Sequence, residues 1–314
     1  PTTEDAHMQV TAIQESFAKR ISPDQGETLQ DLDRSALKEH FRNSGALVFS
    51  GFDARREDFD HFVQQFGGEG MTYRGGGYIR KQVGDGSDQT LLSVSYDHGR
   101  EKQQTFGLPL HGEMYYVDGR PDVIWFFCAR PAESDGETTI CDGAAVYQAL
   151  SPETKALLAS KRLKFSRTYR DGEWQKIYQT DDMREAEAFC IGNGLTVRLD
   201  EENKIVRTEY LIPAVITSRW GGHQVYINNI LPVIWQEREK GRGDTSIVRF
   251  EDDSELPDEL INEVVSVQQK LMYPIAWKAG DFAMIDNSRT LHGRRAFEDP
   301  DREVYLRMVR SIDW

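Results

Sequence analysis

Leu108-Pro109-Leu110-His111-Gly112-Glu113-Met114 is the stretch on which the reading of this chain turns. His111 and Glu113 are two residues apart, so a strand aims both side chains to the same side. Far downstream, Leu291-His292-Gly293-Arg294 offers a second histidine. Two imidazoles and one carboxylate can occupy one face of a metal ion and leave the opposite face open, a donor set suited to Fe(II). Taken alone, His-x-Glu is common by chance, and a surface His beside a surface Glu is its plainest explanation. The surroundings of both segments give the pair its weight.

The sequence Gly280-Asp281-Phe282-Ala283-Met284-Ile285-Asp286-Asn287-Ser288-Arg289-Thr290-Leu291-His292 reads as a turn, a buried strand, a polar corner and then the histidine. Beyond it, Arg302, Arg307 and Arg310 punctuate an otherwise apolar strand that includes Val304, Leu306, Met308 and Val309. An arginine is costly to bury without an anion, and a carboxylate gripped through two N–H groups is its natural partner. Alternation puts Arg302 and Arg310 on one side and Arg307 on the other, unless a bulge brings Arg302 and Arg307 together.

Hydrophobic periodicity predicts helices over 6–20, 33–44 (with Gly45 as the stop signal) and 56–66. Residues 71–110, broken by Gly75-Gly76-Gly77 and Gly84-Asp85-Gly86, read as a long irregular functional segment. Strands are expected at 123–128, 138–141, 162–169, 194–199, 204–217, 223–228, 281–286 and 303–312. Helices are expected from about 143, from Ser151-Pro152, over 230–238 and over 257–272. Many strands with few helices between them indicate a β-barrel or sandwich with helical additions. No internal repeat and no Pro-, Gly- or Ser-rich linker divides the 314 residues.

The formal net charge of −14 speaks against nucleic acid and anionic membrane as partners, since both require a basic face. No apolar run has the length of a membrane span, and the first 25 residues are too polar for a signal peptide. Cys128, Cys141 and Cys190 lack metal or redox spacing and read as free thiols of a cytoplasmic protein.

Together these segments resemble the taurine dioxygenase / clavaminate synthase-like superfamily of Fe(II)- and 2-oxoglutarate-dependent oxygenases, from about residue 35 to the C-terminus. The resemblance is carried by Leu108–Met114, by Phe126-Phe127-Cys128-Ala129-Arg130-Pro131-Ala132, by Asp135-Gly136-Glu137-Thr138-Thr139-Ile140-Cys141-Asp142, and by Trp277-Lys278-Ala279-Gly280-Asp281 through Arg294. Gly45–Phe52 also fits the family opening. It implies a mainly β fold with helical additions around a double-stranded β-helix, the cupin-like jelly roll. One oxygenase domain would span 1–314, with N-terminal helices in 1–70, an active-site loop region in 71–110 and the core in 111–314, carrying inserted helices at about 143–160 and 230–272.

The resemblance further implies His111, Glu113 and His292 as the metal-binding catalytic triad. Thr138 would hold the distal carboxylate of 2-oxoglutarate together with a strand arginine. That arginine is Arg302 counted from His292, or Arg307 counted from the Leu-Arg pair near the end, because this chain departs from the usual spacing. Many relatives place Asp where Glu113 stands, and Glu still supplies the carboxylate; a Gly or Ala there would have suggested a halogenase. The implied cofactors are Fe(II), with 2-oxoglutarate and O2 as co-substrates. Substrate contacts are expected from Arg74, Tyr96, Met114 and Tyr115, with Tyr73, Tyr78, Arg80 and Ser95 in the same loop region. Asn287 and Arg289 could support the triad from behind, or merely form a tight turn and a surface charge.

The expected reaction is hydroxylation of an amino acid or a related small molecule, free or tethered to a carrier protein, in a biosynthetic pathway, with succinate and CO2 as co-products. The same oxidising centre could desaturate, epoxidise or cyclise, and sequence does not choose among these. A zinc hydrolase or a non-catalytic cupin-like binding protein would leave Thr138 and the C-terminal arginines without a role.

Overall fold

The computed structural model describes residues 8–77, 80–83, 88–94, 107–240 and 245–314. In chain order the elements are β1 (Gln9–Ala12), β2 (Lys19–Ser22), α1 (Arg34–Ser44), β3 (Ala46–Phe49), α2 (Arg56–Gln64), β4 (Glu69–Met71), β5 (Leu91–Ser93), β6 (Leu108–His111), β7 (Val123–Arg130) and β8 (Thr138–Asp142). Then come α3 (Gly143–Ala149), α4 (Pro152–Ser160), β9 (Leu163–Tyr169), α5 (Trp174–Tyr178), α6 (Met183–Gly192), β10 (Thr196–Asp200), β11 (Ile205–Ile212), β12 (Val215–Thr217) and β13 (Gln224–Tyr226). The chain closes with α7 (Ile230–Lys240), β14 (Ser246–Phe250), α8 (Asp258–Leu271), β15 (Tyr273–Ile275), β16 (Phe282–Asp286), β17 (Thr290–Arg294) and β18 (Glu303–Arg310).

The larger sheet runs β1-β2-β3-β16-β7-β18-β4, with β5 also on β18; the smaller runs β15-β8-β17-β6. Parity along β7 shows what lies on each side. Ile124, Phe126 and Cys128 join a core cluster that includes Leu110 and Ile140 of the smaller sheet. Val123, Trp125 and Phe127 face the other way, into a second cluster with Phe41, Phe59, Phe62 and Phe66. Each fully buried side chain of this size contributes about 1.5–3 kcal/mol, so β7, apolar on both faces, anchors both layers. The two sheets closed over the first cluster form the jelly roll, with α1 and α2 packed on its back. A third sheet, β10-β11-β9-β14, belongs to the segment between β8 and β15.

Local signals place several boundaries. Asp33 accepts from the Ser35 and Ala36 amides at the start of α1, and Gly45 ends that helix at φ 73°. Ser151 caps α4, whose first residue is Pro152.

The expected helix over 6–20 is overturned across its described part. β1 and β2 form a hairpin there, and β2 extends the sheet by pairing parallel to β3. Ala18 turns at φ 58° with Phe17 buried, so the chain cannot stay helical through this point. Sheet pairing at the edge of β3 outweighs local helix periodicity. Residues 174–192, for which no helix was expected, form α5 and α6, and the expected strand 204–217 is split at Pro213 into β11 and β12. Among the described residues no helix is long and apolar enough to cross a membrane.

Candidate active site

β6 and β17 are antiparallel neighbours, and His111 is paired directly with His292. Paired residues share a face, so both imidazoles project into the jelly roll, their ring centroids 4.4 Å apart. Glu113, just past β6, completes a group whose candidate ligand atoms all lie within 4.8 Å of one another; all three residues are buried. Asn287, at the corner between β16 and β17, fixes Glu113 by its backbone. Its Oδ1 accepts from the Glu113 amide at 2.8 Å, and its Nδ2 donates to the Glu113 carbonyl at 3.0 Å and to that of Pro121 at 2.8 Å.

The donor set fits a metal ion. His111 Nδ1 lies 2.8 Å from the Pro109 carbonyl, which accepts its proton and leaves Nε2 as the ligand atom. Burial, and then the neighbouring His292, push the His111 pKa down to about 3, so the imidazole is neutral, as a ligand must be. Burial works to raise the Glu113 pKa, but His292, His111 and Arg80 outweigh it and hold the carboxyl at about 2. Glu113 Oε2 is buried without an aligned hydrogen bond, 3.3 Å from His292 Nε2. An ionised oxygen in that position is stabilised by a cation. Its partner Oε1 accepts from the Tyr73 hydroxyl at 3.1 Å. Burial and the nearby Glu113 raise the Tyr73 pKa well above the ordinary value, so this hydroxyl keeps its proton.

Two residues along β8 from Ile140, which faces His292 across the ladder, Thr138 points to the same side of the smaller sheet. Its hydroxyl accepts from Trp277 Nε1 at 2.9 Å, which leaves the Thr138 proton free to donate elsewhere. Arg302 is 1% exposed, and its Nε donates to the Gly136 carbonyl at 2.9 Å, two residues before Thr138 in the chain. It shares parity with the interior residues Val304, Leu306 and Met308.

Arg307 lies elsewhere. The ladder does shift between Glu303 and Val304, yet Arg307 stays on the α1–α2 face. There its Nε donates to Asp60 at 2.8 Å, and its terminal nitrogens donate to Thr90 at 2.8 Å and Asp88 at 2.6 Å. Its alternation with Leu306 and Met308 decides this, and the expectation that it could serve 2-oxoglutarate is corrected. Arg310 is exposed and pairs with Glu69.

The expected substrate contacts fare unevenly. Arg74 is directed away from the triad: it donates to the Tyr178 carbonyl at 2.6 Å, pairs with Glu185 at 2.7 Å and covers Phe189. Those partners come from α5 and α6, which the sequence reading did not foresee. Tyr115 is 1% exposed, and its hydroxyl donates to the Asn287 carbonyl at 2.7 Å, so it braces the triad from behind. Met114, at φ 58° and buried, makes the turn that follows Glu113. Tyr96, with Tyr78, Ser95 and His98, lies outside the described residues. Arg289 is neither surface charge nor neighbour of the triad: it forms a buried two-point pair with Asp142, at 3.0 and 2.8 Å.

Tyr73 and Arg80 do come to the site, Arg80 lying over the Tyr73 ring at 5.0 Å. Sequence reasoning missed Trp277 as the partner of Thr138, although it lies in a quoted motif. It also missed Arg167. That signal was legible: Leu163, Phe165, Arg167 and Tyr169 alternate along β9, and all four are buried.

Comparison with known proteins gives the same reading. The profile of the Taurine catabolism dioxygenase TauD, TfdA family matches residues 9–310. A clavaminate synthase-like protein of Arabidopsis thaliana is 25% identical over 279 residues, 85% of this chain and 82% of the relative. The dapdiamide synthesis protein DdaC of Enterobacter agglomerans is 25% identical over 293 residues, 88% of this chain and 85% of the relative. Among solved structures, PvcB, an Fe, alpha-ketoglutarate dependent oxygenase from an isonitrile synthetic pathway, superposes with a TM-score of 0.60 at 18% identity, covering 99% of this chain and 94% of that one. This chain belongs to the TauD, TfdA dioxygenase family, as a 2-oxoglutarate-dependent oxygenase that uses Fe(II) and O2.

Proposed function

We propose that this enzyme hydroxylates an unactivated carbon of an amino acid or amino-acid-derived small molecule in a biosynthetic pathway. The observation that carries the reading is the buried triad of His111, Glu113 and His292 on one interior face, with Thr138 on the same face of the adjoining strand. The relatives DdaC and PvcB, both named for synthetic pathways, support the biosynthetic setting.

In this reading His111 Nε2, a Glu113 oxygen and His292 Nε2 hold Fe(II). The bound iron, with 2-oxoglutarate and O2, supplies the oxidising chemistry, and 2-oxoglutarate leaves as succinate and CO2. The chain's own residues bind and orient. The Thr138 hydroxyl, aimed by Trp277, and the Arg302 guanidinium hold the distal carboxylate of 2-oxoglutarate. Tyr73 holds the Glu113 carboxylate through Oε1, and Asn287 holds the backbone of the same residue. The apolar core around the triad excludes water.

The test is succinate formation from 2-oxoglutarate with Fe(II) and O2, run against a panel of amino acids and their simple derivatives. Stimulated turnover by one such compound, absent in His111→Ala, is expected. Anaerobic Fe(II) with 2-oxoglutarate should give the weak visible charge-transfer band of the chelate. Absence of that band in the wild-type protein would sink the assignment, and its loss in Arg302→Ala but not Arg307→Ala is expected.

A further inference from the structure

Arg167 stands in a place where a cation needs a reason. It occupies a core position of β9, between Phe165 and Tyr169, and is 4% exposed. Its guanidinium carbon lies 3.5 Å from the centre of the Tyr116 ring, so one planar face is covered by an aromatic. One N–H donates to the Gly75 carbonyl at 3.2 Å. A Cβ on Gly77 would lie 3.4 Å from the other terminal nitrogen and 3.2 Å from the Tyr116 hydroxyl, so the glycine run lets backbone close over this group. Among the described residues no carboxylate pairs with Arg167, whereas the other deeply buried arginine on which the fold depends, Arg289, has Asp142. A buried cation without an anion is expensive, and a single carbonyl with a ring face offsets only part of the cost.

Arg167 is also linked to the triad. The Tyr116 hydroxyl is 3.5 Å from that of Tyr73, which donates to Glu113. Tyr116 itself follows Glu113 by three residues, and its hydroxyl accepts from the Gly77 amide at 2.7 Å. Arg167, Tyr116, Tyr73 and Glu113 therefore form one continuous line of contacts from the third sheet to the triad. Thr138 lies on β8 and Arg302 immediately before β18, both within the jelly roll, whereas Arg167 lies on the third sheet, so this cation is separate from the one assigned to 2-oxoglutarate.

We propose that Arg167 is the anchor for a carboxylate of the organic substrate. This rests on the reading of the triad as the oxygenase centre. With one face stacked on Tyr116 and one N–H given to the Gly75 carbonyl, the guanidinium keeps its other N–H groups for a ligand, and a planar carboxylate matches them through two parallel bonds. Two aromatic side chains separate the anchor from Glu113. The carbon that reacts is therefore several bonds removed from the acid group, as in an amino acid with a long or acylated side chain.

The experiment measures binding rather than turnover. Matched amino acids with long or side-chain-acylated groups and their primary amides are compared by saturation-transfer NMR on the wild-type protein, on Arg167→Met and on Arg167→Lys, with 2-oxoglutarate saturating so that its own site is filled. The wild type should bind acids over amides, by a factor on the order of 10² if one charged hydrogen-bonded pair is responsible. Arg167→Met should lose the preference, and Arg167→Lys should keep only part of it, having the charge without the planar fork. A wild type that binds neither form, or both equally, overturns the proposal. So does a folded Arg167→Met that retains the preference. The charge-transfer band of the wild-type chelate, recorded on the same preparation, reports separately on whether the oxygenase reading itself stands.

Discussion

Tyr73 does two things for Glu113 that a generic polar neighbour would not. Its hydroxyl takes up Oε1, and it thereby singles out Oε2 as the oxygen turned toward His292. Tyr73→Phe removes that hydrogen bond with little change in volume. Loss of a residue that orients a ligand weakens metal binding about 10- to 100-fold. An Fe(II) titration should show that loss with an unchanged melting temperature; equal affinity would leave Tyr73 a packing residue only. Asn287 acts on the backbone of the same glutamate and is itself 1% exposed. Asn287→Ala leaves the Glu113 amide and two carbonyls without their partner, at about 1–3 kcal/mol for each buried group, so stability and metal affinity should fall together in urea melts and titrations. At this scale the sequence was most legible where chemistry and spacing coincide, as in His111, Glu113 and His292. It was least legible where a role depends on what arrives from elsewhere. Arg74 read as a free cation among glycines because α6, with Glu185, could not be seen coming.

The corner between β16 and β17 illustrates the scale of elements. Asp286 closes β16 and accepts from both the amide and the hydroxyl of Ser288 at 2.7 Å, forming the turn that delivers His292. Burial nonetheless raises its pKa to about 6. The unfolded chain releases this proton near the ordinary 3.8. Between those values the folded state binds the extra proton, so the contribution of Asp286 to stability declines as pH rises from about 4 to about 6 and is constant above. The gap between the two values corresponds to about 3 kcal/mol. Asp286→Asn can still accept from Ser288 and has no proton to lose. Denaturant unfolding at pH 4 and pH 7 should therefore show the variant gaining on the wild type by that amount; parallel profiles would contradict it. The opposite anchor of the corner is the buried Arg289–Asp142 pair, which ties β17 to the start of α3. Arg289→Ala strands Asp142 and should cost about 3–5 kcal/mol in the same assay. Elements with strong caps were readable beforehand, as α1 and α4 show. The β1–β2 hairpin was not, because its stability comes from pairing with β3 rather than from its own residues.

For the molecule as a whole, a β-barrel or sandwich could be anticipated from many strands with few helices between them, and the jelly roll from the family resemblance; β7 and β16, apolar on both faces, are the strands that lie between its packed layers. Alternation already set Arg302 and Arg307 apart, but not which layer each would meet: Arg302 faces the core of the roll and Arg307 the helices. The same construction makes a thermal prediction. A metal bound only by the folded state stabilises it by about 2.7 kcal/mol at a concentration 100 times its dissociation constant. Mn(II), a redox-quiet substitute, should raise the melting temperature of the wild type and leave that of His292→Ala unmoved.

The two histidines face each other across one ladder, yet one comes early in the chain and the other near its end. During synthesis the amino-terminal part emerges first, so His111 and Glu113 leave the ribosome long before the partner strand exists. A translating chain has no site to fill until β17 has been made and laid beside β6. Iron can therefore bind at the triad only after β17 has been made, from whatever pool surrounds the chain at that moment.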